Sequence, residues 1–435
     1  MKRVTLIFIT VICLFIISCS KGQAESKENS VNAAKDTLPY LELGKLEGEQ
    51  IIVDRAVDLK DGVCILPEGI TLKFDGGIIK NGTLIGSMTK LDCKENIFLH
   101  VSIKGNWDVP NITTKMFADL SYENALKDVV ALTHPKVKNR VIIEKGNYVV
   151  SAKKGGDVCL PIVSNTEVVM NGTIKLLPNS YKMYEIIRVS GKNISINGNG
   201  IIIGDKHSHT GTKGEWGMGI FFRGAVNTSV SGLTIKDCWG DCIYVGKSSK
   251  DVVIENCWLD HGRRQGISVT KADGVTIRNC KITNVGGTAP EYAIDIEPNA
   301  NDTVDHILIE NVEVENCRGG FMAYKGNKYP RTTIGDIVIR NCSISATDKY
   351  PIILMRSRSA LVEECVVNVV NEKAAIYTND VQEVAIMKNT INLNNDFLST
   401  FRNAAKRVVG KKAQESILVD KAEGKVVKDN IINGK

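Results

Sequence analysis

Two carboxylates stand two residues apart in the stretch EYAIDIEPN (residues 291–299), where Asp295 and Glu297 alternate with Ile294 and Ile296. Successive side chains of a strand leave opposite faces, so the acids share one face and the isoleucines the other. Two residues of strand rise separate their backbones by about 6.6 Å. Two carboxyls across a glycosidic bond can divide acid and base work between them. Other groups could join them. Asp241 lies in WGDC (239–242), Arg263 and Arg264 in LDHGRRQG (259–266), and a long Gly-rich segment, GDKHSHTGTKGEWGMG (204–219), brings His207, His209, Glu215 and Trp216. Elimination is the second chemistry open to such a set. It needs a base beside an acidic proton and cations to stabilise the developing negative charge, a part open to Arg263, Arg264, Tyr244, Tyr324 and Lys325. Neither route requires a cofactor, although the acid pair offers hard oxygen ligands for a Ca²⁺.

Plainer readings exist for each group. The acid pair could be a solvated strand face, Asp241 a side chain that caps a tight turn, and the two arginines solvated turn residues. His207 and His209 lack further ligands at a metal-binding spacing and read as a solvated loop, mobile because it is long and rich in glycine.

The elements that would position these groups come from an internal repeat. VVIENC (252–257), VTIRNC (275–280), ILIENV (307–312), IVIRNC (337–342) and LVEEC (361–365) are one phrase, with VVMNGT (168–173) before it and VAIMKNT (384–390) after it. A second strand follows each phrase: GIFFRG (219–224), CIYVGK (242–247), GISVTK (266–271), AIDIEP (293–298), GFMAYK (320–325), IILMRS (352–357) and AIYTND (375–380). Short strands without intervening helices bury a face only by stacking on their copies, which predicts an all-β solenoid. Asn256, Asn279, Asn311 and Asn341 would form a ladder at a bend. The next positions, Cys257, Cys280, Val312, Cys342 and Cys365, would form an interior column of reduced thiols acting as small hydrophobes, with a disulfide between coils the alternative.

Placing Ile220, Ile243, Ile267, Ile294, Phe321, Ile353 and Ile376 in the core turns the following side chains outward. That face carries Phe221 and Arg223, Tyr244, Ser268 and Thr270, Asp295 and Glu297, Met322 and Tyr324, Leu354 and Arg356, and Tyr377 and Asn379. Tyrosines offer flat apolar area with a polar tip, and arginines offer forks for carboxylates or sulfates. Arg223, Tyr244, Tyr324, Lys325, Arg356 and Tyr377 are therefore the expected substrate-binding residues.

The repeat resembles the right-handed parallel β-helix of the pectin lyase-like superfamily over roughly residues 117–395. NALKDVVALTHPKVKNRVIIEKGNYVV (124–150) is similar to the capping helix and first strand of that fold, and ITLKFDGGIIKNGTLIGS (70–87) looks like a small β-module ahead of it. The resemblance implies an all-β, right-handed parallel β-helix solenoid with an N-terminal capping helix and a small N-terminal β-module. It also implies a cleft for sugars on the second-strand sheet. Part of the chain, GDCIYVGKSSKDVVIENCWLDHGRRQGISV (240–269), resembles polygalacturonase-like glycoside hydrolases. Of that family's catalytic positions only Asp241 keeps its identity. Gly240 replaces the first Asp of a pair, Gln265 the histidine and Met218 a further Asp, and Ala323-Tyr324-Lys325 is a poor match to its Arg-Ile-Lys strand.

The N-terminus carries its own message. Lys2-Arg3, an apolar run from Val4 to Ile17 and then Cys19 resemble a bacterial lipoprotein signal, in which Cys19 takes the lipid. The expected organisation is a signal at 1–19, a tether at 20–37, a β-module at 38–116, the β-helix at 117–395 and a C-terminal cap at 396–435. In the last part, Asp396 to Gly410 reads as helical and the chain then as a hairpin or closing turn. A net charge of +6 and 6% aromatic residues without long basic runs argue against a nucleic-acid partner. The expectation is a polysaccharide-active protein, lipid-anchored in the envelope of a Gram-negative bacterium at the outer membrane or cell surface. It would cleave glycosidic bonds of an acidic polymer as lyase or hydrolase. A glycan-binding or structural solenoid without catalysis and a polysaccharide epimerase are the rivals.

Overall fold

The computed structural model describes residues 37–153, 158–326, 328–370, 373–393 and 416–433. The lipoprotein segment with Cys19, most of the tether, and the stretch read as helical at 396–410 lie outside the described residues.

Three parallel sheets run along a solenoid. The first has twelve described strands, from Asn111–Thr113 to Gly424–Lys428; the second has eleven, from Asn147–Val150 to Ile431–Asn433; the third has ten, from Val158–Ile162 to Ile417–Asp420. The chain visits the sheets in turn and pairs each strand with its copy one coil earlier. Val252, Val275, Ile307 and Ile337 are register neighbours in the first sheet, and all are buried. Ile220, Ile243, Ile267 and Ile294 do the same in the third. Each buried aliphatic side chain removes apolar area worth about 1.5–3 kcal/mol, and stacking makes that area continuous.

The repeat phrase bends where expected. Asn256, Asn279, Asn311 and Asn341 all have φ between 52° and 55°, a left-handed conformation that asparagine tolerates. Their ladder is interrupted. Asn311 donates to Asn279 Oδ1 at 3.1 Å, but Asn256 faces a glycine in the preceding coil, Gly232, and donates to Ser231 Oγ at 3.3 Å instead. A longer run, Asn227 to Asn193 to Asn165, occupies another bend at 2.8 and 3.0 Å. The thiol column is buried and reduced. Cys257, Cys280, Cys342 and Cys365 each donate to the carbonyl two residues before, at 3.2–3.3 Å. Asn389 and Asn430 continue that column with amide–carbonyl bonds, Asn389 donating to Val362 O at 3.0 Å.

A separate eight-stranded sheet, from Thr37–Leu38 to Phe98–Asp108, precedes the coils. Helix α1 (Ala125–Val130) packs between it and the first coil, burying Leu126, Val129 and Val130. Asp128 fastens the two parts, accepting from Ile103 N–H at 2.9 Å and Tyr122 O–H at 3.0 Å. At the far end Ile417–Asp420, Gly424–Lys428 and Ile431–Asn433 each add a parallel strand to one of the three sheets. That end is a further coil and not a hairpin.

Candidate active site

The outward row of the third sheet reads Phe221, Tyr244, Ser268, Asp295, Met322, Ile353, Tyr377. One strand departs from expectation. Ile352 and Leu354 are the buried pair of Ile352–Met355, so Ile353 faces out and Leu354 does not. An apolar run without alternation left that register unmarked, and the chain turns in one residue earlier, at Pro351.

Asp295 and Glu297 do share the outward face, but neither is free in solvent. Asp295 is 1% exposed, and Glu297 is half-buried just beyond the strand's end. Asp295 Oδ2 accepts from Gln265 Nε2 at 2.7 Å, while Oδ1 is buried without a hydrogen-bond partner. Asp241, fully buried, accepts from Ser268 Oγ at 2.8 Å and from Arg264 Nη1 at 3.3 Å. Arg264 Nε also reaches Glu215 Oε2 at 3.1 Å. One guanidinium thus stands among Asp241, Asp295, Glu297 and Glu215, and although burial acts against its charge, those four acids raise its pKa.

This crowding sets the protonation states. Burial pushes Asp241 up to about 6, with Arg264 and Ser268 pulling back. Burial and then the charge of Glu297 push Asp295 well above the carboxylate range, against Arg264 and Gln265. Glu297 is raised by burial, less so because Arg264 faces it. Buried acids whose environments differ this much can hold different protonation states at neutral pH.

Arg263 does not join the cluster, contrary to expectation. Its guanidinium lies 3.6 Å from the Trp239 ring centroid, its Nε donates to Trp239 O at 2.8 Å, and its two remaining nitrogens bond Gly214 O and Thr288 Oγ1. His209 stacks on the ring system of Trp239 at 3.9 Å and its Nδ1 donates to Asp205, which also accepts from Asn179 at 2.8 Å and from the Tyr184 hydroxyl. His209 is therefore fully buried, not solvated, and residues 204–219 are pinned rather than loose. His207 alone keeps the expected exposure, 3.0 Å from Asp237. The pinned segment delivers Glu215 to Arg264 and leaves Trp216 exposed beside Met183, its register neighbour. A Cβ on Gly240 would stand 2.4 Å from Glu215 O, so this packing leaves no room for an acid there.

The expected binding residues fall into two groups flanking the acids. On one side Arg223 lies 3.7 Å from Glu185 and 5.9 Å from the Phe221 ring, and Tyr244 meets Phe221 edge-on at 4.8 Å. On the other, Arg356 occupies a left-handed bend, donates to Lys325 O at 2.8 Å and lies 5.7 Å from the Tyr324 ring. Lys325 Nζ donates to Thr332 O, and with Arg356, Arg358 and Asp380 lines a cavity of about 370 Å³. Tyr377 stacks on Tyr350 at 5.2 Å. A larger groove of about 1060 Å³ lies on the first sheet, among Arg140, Glu167, Asn193, Asn227 and Arg278, and holds none of the clustered acids.

Sequence reasoning missed Gln265 and Ser268 as partners of the acids and undervalued Glu215. Gln265 was visible as the residue one coil before Tyr292, ahead of the strand that neighbours Asp295. Among the described residues, Asp305, His306 and Asp336 have ligand atoms mutually within 4.8 Å, and they are remote in register from the acid cluster. Arg358 already bonds both of those aspartates.

Known proteins bear on the architecture. The uncharacterized protein YclG of Bacillus subtilis is 33% identical over 201 residues, 40% of this chain. The SPbeta prophage-derived uncharacterized protein YorA of the same organism is 29% identical over 202 residues, 38% of this chain. Each match spans only about a third (34%) of the relative's length. Among solved structures, the A-module of mannuronan C-5 epimerase AlgE6 from Azotobacter vinelandii superposes with a TM-score of 0.51 at 12% identity, covering 74% of this chain and 98% of the module. That likeness is one of fold. The family described as the right handed beta helix region matches residues 135–297 and 265–435, most of the coiled part, and the chain belongs to it.

Proposed function

We propose that this chain is an exported enzyme that hydrolyses glycosidic bonds of an acidic polysaccharide lying across the third sheet. The observation that carries this reading is the acid cluster around Arg264. In it burial, against the pull of Arg264, holds one carboxyl, Asp295, at a strongly raised pKa beside a more accessible one, Glu297, on the same outward face. Asp295 is the acid that protonates the leaving oxygen. Glu297 is the base that takes a proton from the attacking water. Asp241, itself held by Ser268, keeps Arg264 in place. Elimination fits less well, because Arg263 is engaged with Trp239, Gly214 and Thr288 while Arg264 is already bonded to Asp241 and Glu215. Arg264 also supplies the positive charge that a Ca²⁺ would bring to the acid pair. Arg223, Tyr244, Tyr324, Lys325, Arg356 and Tyr377 would bind sugar rings and their acidic groups.

The test is a panel of acidic and neutral glycans, alginate among them because a protein of this fold is named a mannuronan epimerase. Reducing ends, absorbance of unsaturated products and uronate composition are followed together, with and without a chelator. New reducing ends without unsaturation support hydrolysis. Unsaturation points to a lyase, altered composition at constant length to an epimerase, and binding without any product to a glycan-binding solenoid. Asp295→Asn and Glu297→Gln should each lower turnover at least about 100-fold while leaving the fold and glycan binding intact. Anchoring through Cys19 has its own check: Cys19→Ser should move the protein out of the membrane fraction.

A further inference from the structure

The orientation of Gln265 is dictated by the backbone. Its side chain is fully buried, and its Oε1 accepts the N–H of Tyr292 at 2.7 Å. A backbone N–H can only donate, so the amide cannot be turned round. The amide nitrogen is therefore the atom that meets Asp295, and it donates to Oδ2 at 2.7 Å. Protonating Oδ2 would turn it into a hydroxyl oxygen, a weaker acceptor for that N–H than a carbonyl oxygen. The other oxygen, Oδ1, is buried and has no hydrogen-bond partner among the described residues.

We infer that Gln265 is a positioning residue that keeps the proton of Asp295 on Oδ1, the oxygen without a hydrogen-bond partner among the described residues and so the one from which a leaving-group oxygen would take it. The inference rests on the reading of Asp295 as the acid and deepens it. In the step, the Oδ1 proton passes to the glycosidic oxygen as its bond to the anomeric carbon breaks. Water adds to that carbon and gives its own proton to Glu297. Other charged or titratable groups also face Asp295: Glu297 just beyond the end of its strand, Arg264 and Asp241 from the adjoining segments, and Tyr292. Ser268 and Met322 are its register neighbours on either side. Among the described residues nothing on the Met322 side donates a hydrogen bond to it, which leaves Gln265 as the donor that selects between the two oxygens.

Infrared titration of the whole protein tests this without turnover. The carbonyl band of a protonated Asp295, assigned by its loss in Asp295→Asn, should persist to well above pH 4 in the wild type. It should absorb at the lower frequency of a carbonyl that accepts an N–H; absorption at the free-acid frequency would overturn the inference. Gln265→Leu removes the donor, and the midpoint should rise by about one pH unit. Gln265→Glu still accepts from Tyr292 and places a second carboxyl against Oδ2, so one shared proton should split the titration into two steps. An unchanged midpoint in either folded variant would also overturn it. The alkaline limb of kcat should follow the infrared midpoint. If no glycan is cleaved yet the band shifts as described, the hydrolase reading fails while the placement of the proton stands.

Discussion

Asp295 is more acidic in the unfolded chain than in the folded one, and stability should report the difference. Its raised pKa means that the folded state keeps a proton over a range in which the unfolded chain has lost it. Such a group destabilises the fold progressively as pH rises from about 4 through the folded value, and not below that range. Asp241, pushed up to about 6, acts with the same sign between about 4 and 6. Asp119, Glu291 and Asp336, held at about 2, act oppositely, because their contribution is lost as pH falls toward 2. Asp295→Asn isolates the first effect. Denaturant unfolding should find the variant more stable by about 1–3 kcal/mol at pH 8, with the difference vanishing near pH 4. A difference that stays constant across that range would show that the carboxyl is not protonated in the fold. Arg264→Met should do the reverse, costing about 3 kcal/mol at pH 8 and recovering at pH 5 as the acids left around it take up protons. The acids themselves were legible in the sequence, because strand alternation fixes the side of Asp295 and Glu297. Their burial was not, since it comes with Gln265, Ser268 and Arg264 of the preceding coil.

At the scale of elements, adjacent arginines part company because they sit in a connection, where no periodicity assigns a face. Strand register carried the outward row correctly from Phe221 to Met322 and slipped only at Ile352, where four apolar residues in succession hide the alternation. The segment 204–219 was misread for a related reason. Its glycines suggest freedom, yet Gly214 and Gly217 are places of close approach, against Lys182 and the Tyr184 ring. What pins the segment is the layered packing of His209, Trp239 and Arg263, which sequence spacing does not reveal. Arg263→Ala should leave the sheets folded but open residues 204–214 to limited proteolysis, and should lower turnover through the displacement of Glu215. Arg263→Lys should rescue little, because an ammonium cannot stack as a plane and bond three acceptors at once. Equal protease resistance in wild type and Arg263→Ala would rule out the brace. The bends make a separate point. Asn279 holds φ at 53°, so Asn279→Gly should be close to neutral, whereas Asn279→Val should cost about 2 kcal/mol in chemical unfolding.

For the whole molecule, a solenoid has two ends where stacking stops, and each exposes a layer of strand edges and core. The last described coil has largely exposed strands, including Val426, Val427 and Ile431. The N-terminal end is closed. Leu126 and Val129 of helix α1 are fully buried against the first coil, and Asp128 ties the helix to the preceding sheet. The first coils should therefore depend on α1 and on the eight-stranded sheet together. Leu126→Asp places a carboxylate in that contact without touching the acid cluster. It should lower the unfolding temperature by several degrees, corresponding to a loss of about 3–4 kcal/mol. Removing the sheet up to Asp108 should do more, giving oligomers that grow through the uncovered edge. Throughout, the thiols should stay silent. The described cysteines are all free and all buried except Cys93, so a thiol reagent should label Cys93 first in the folded protein and the others only on unfolding. Reductant should then leave the unfolding temperature unchanged. A drop on adding reductant would mean that neighbouring coils are bridged, and the column from Cys257 to Cys365 would have to be read as a set of cross-links rather than as stacked core.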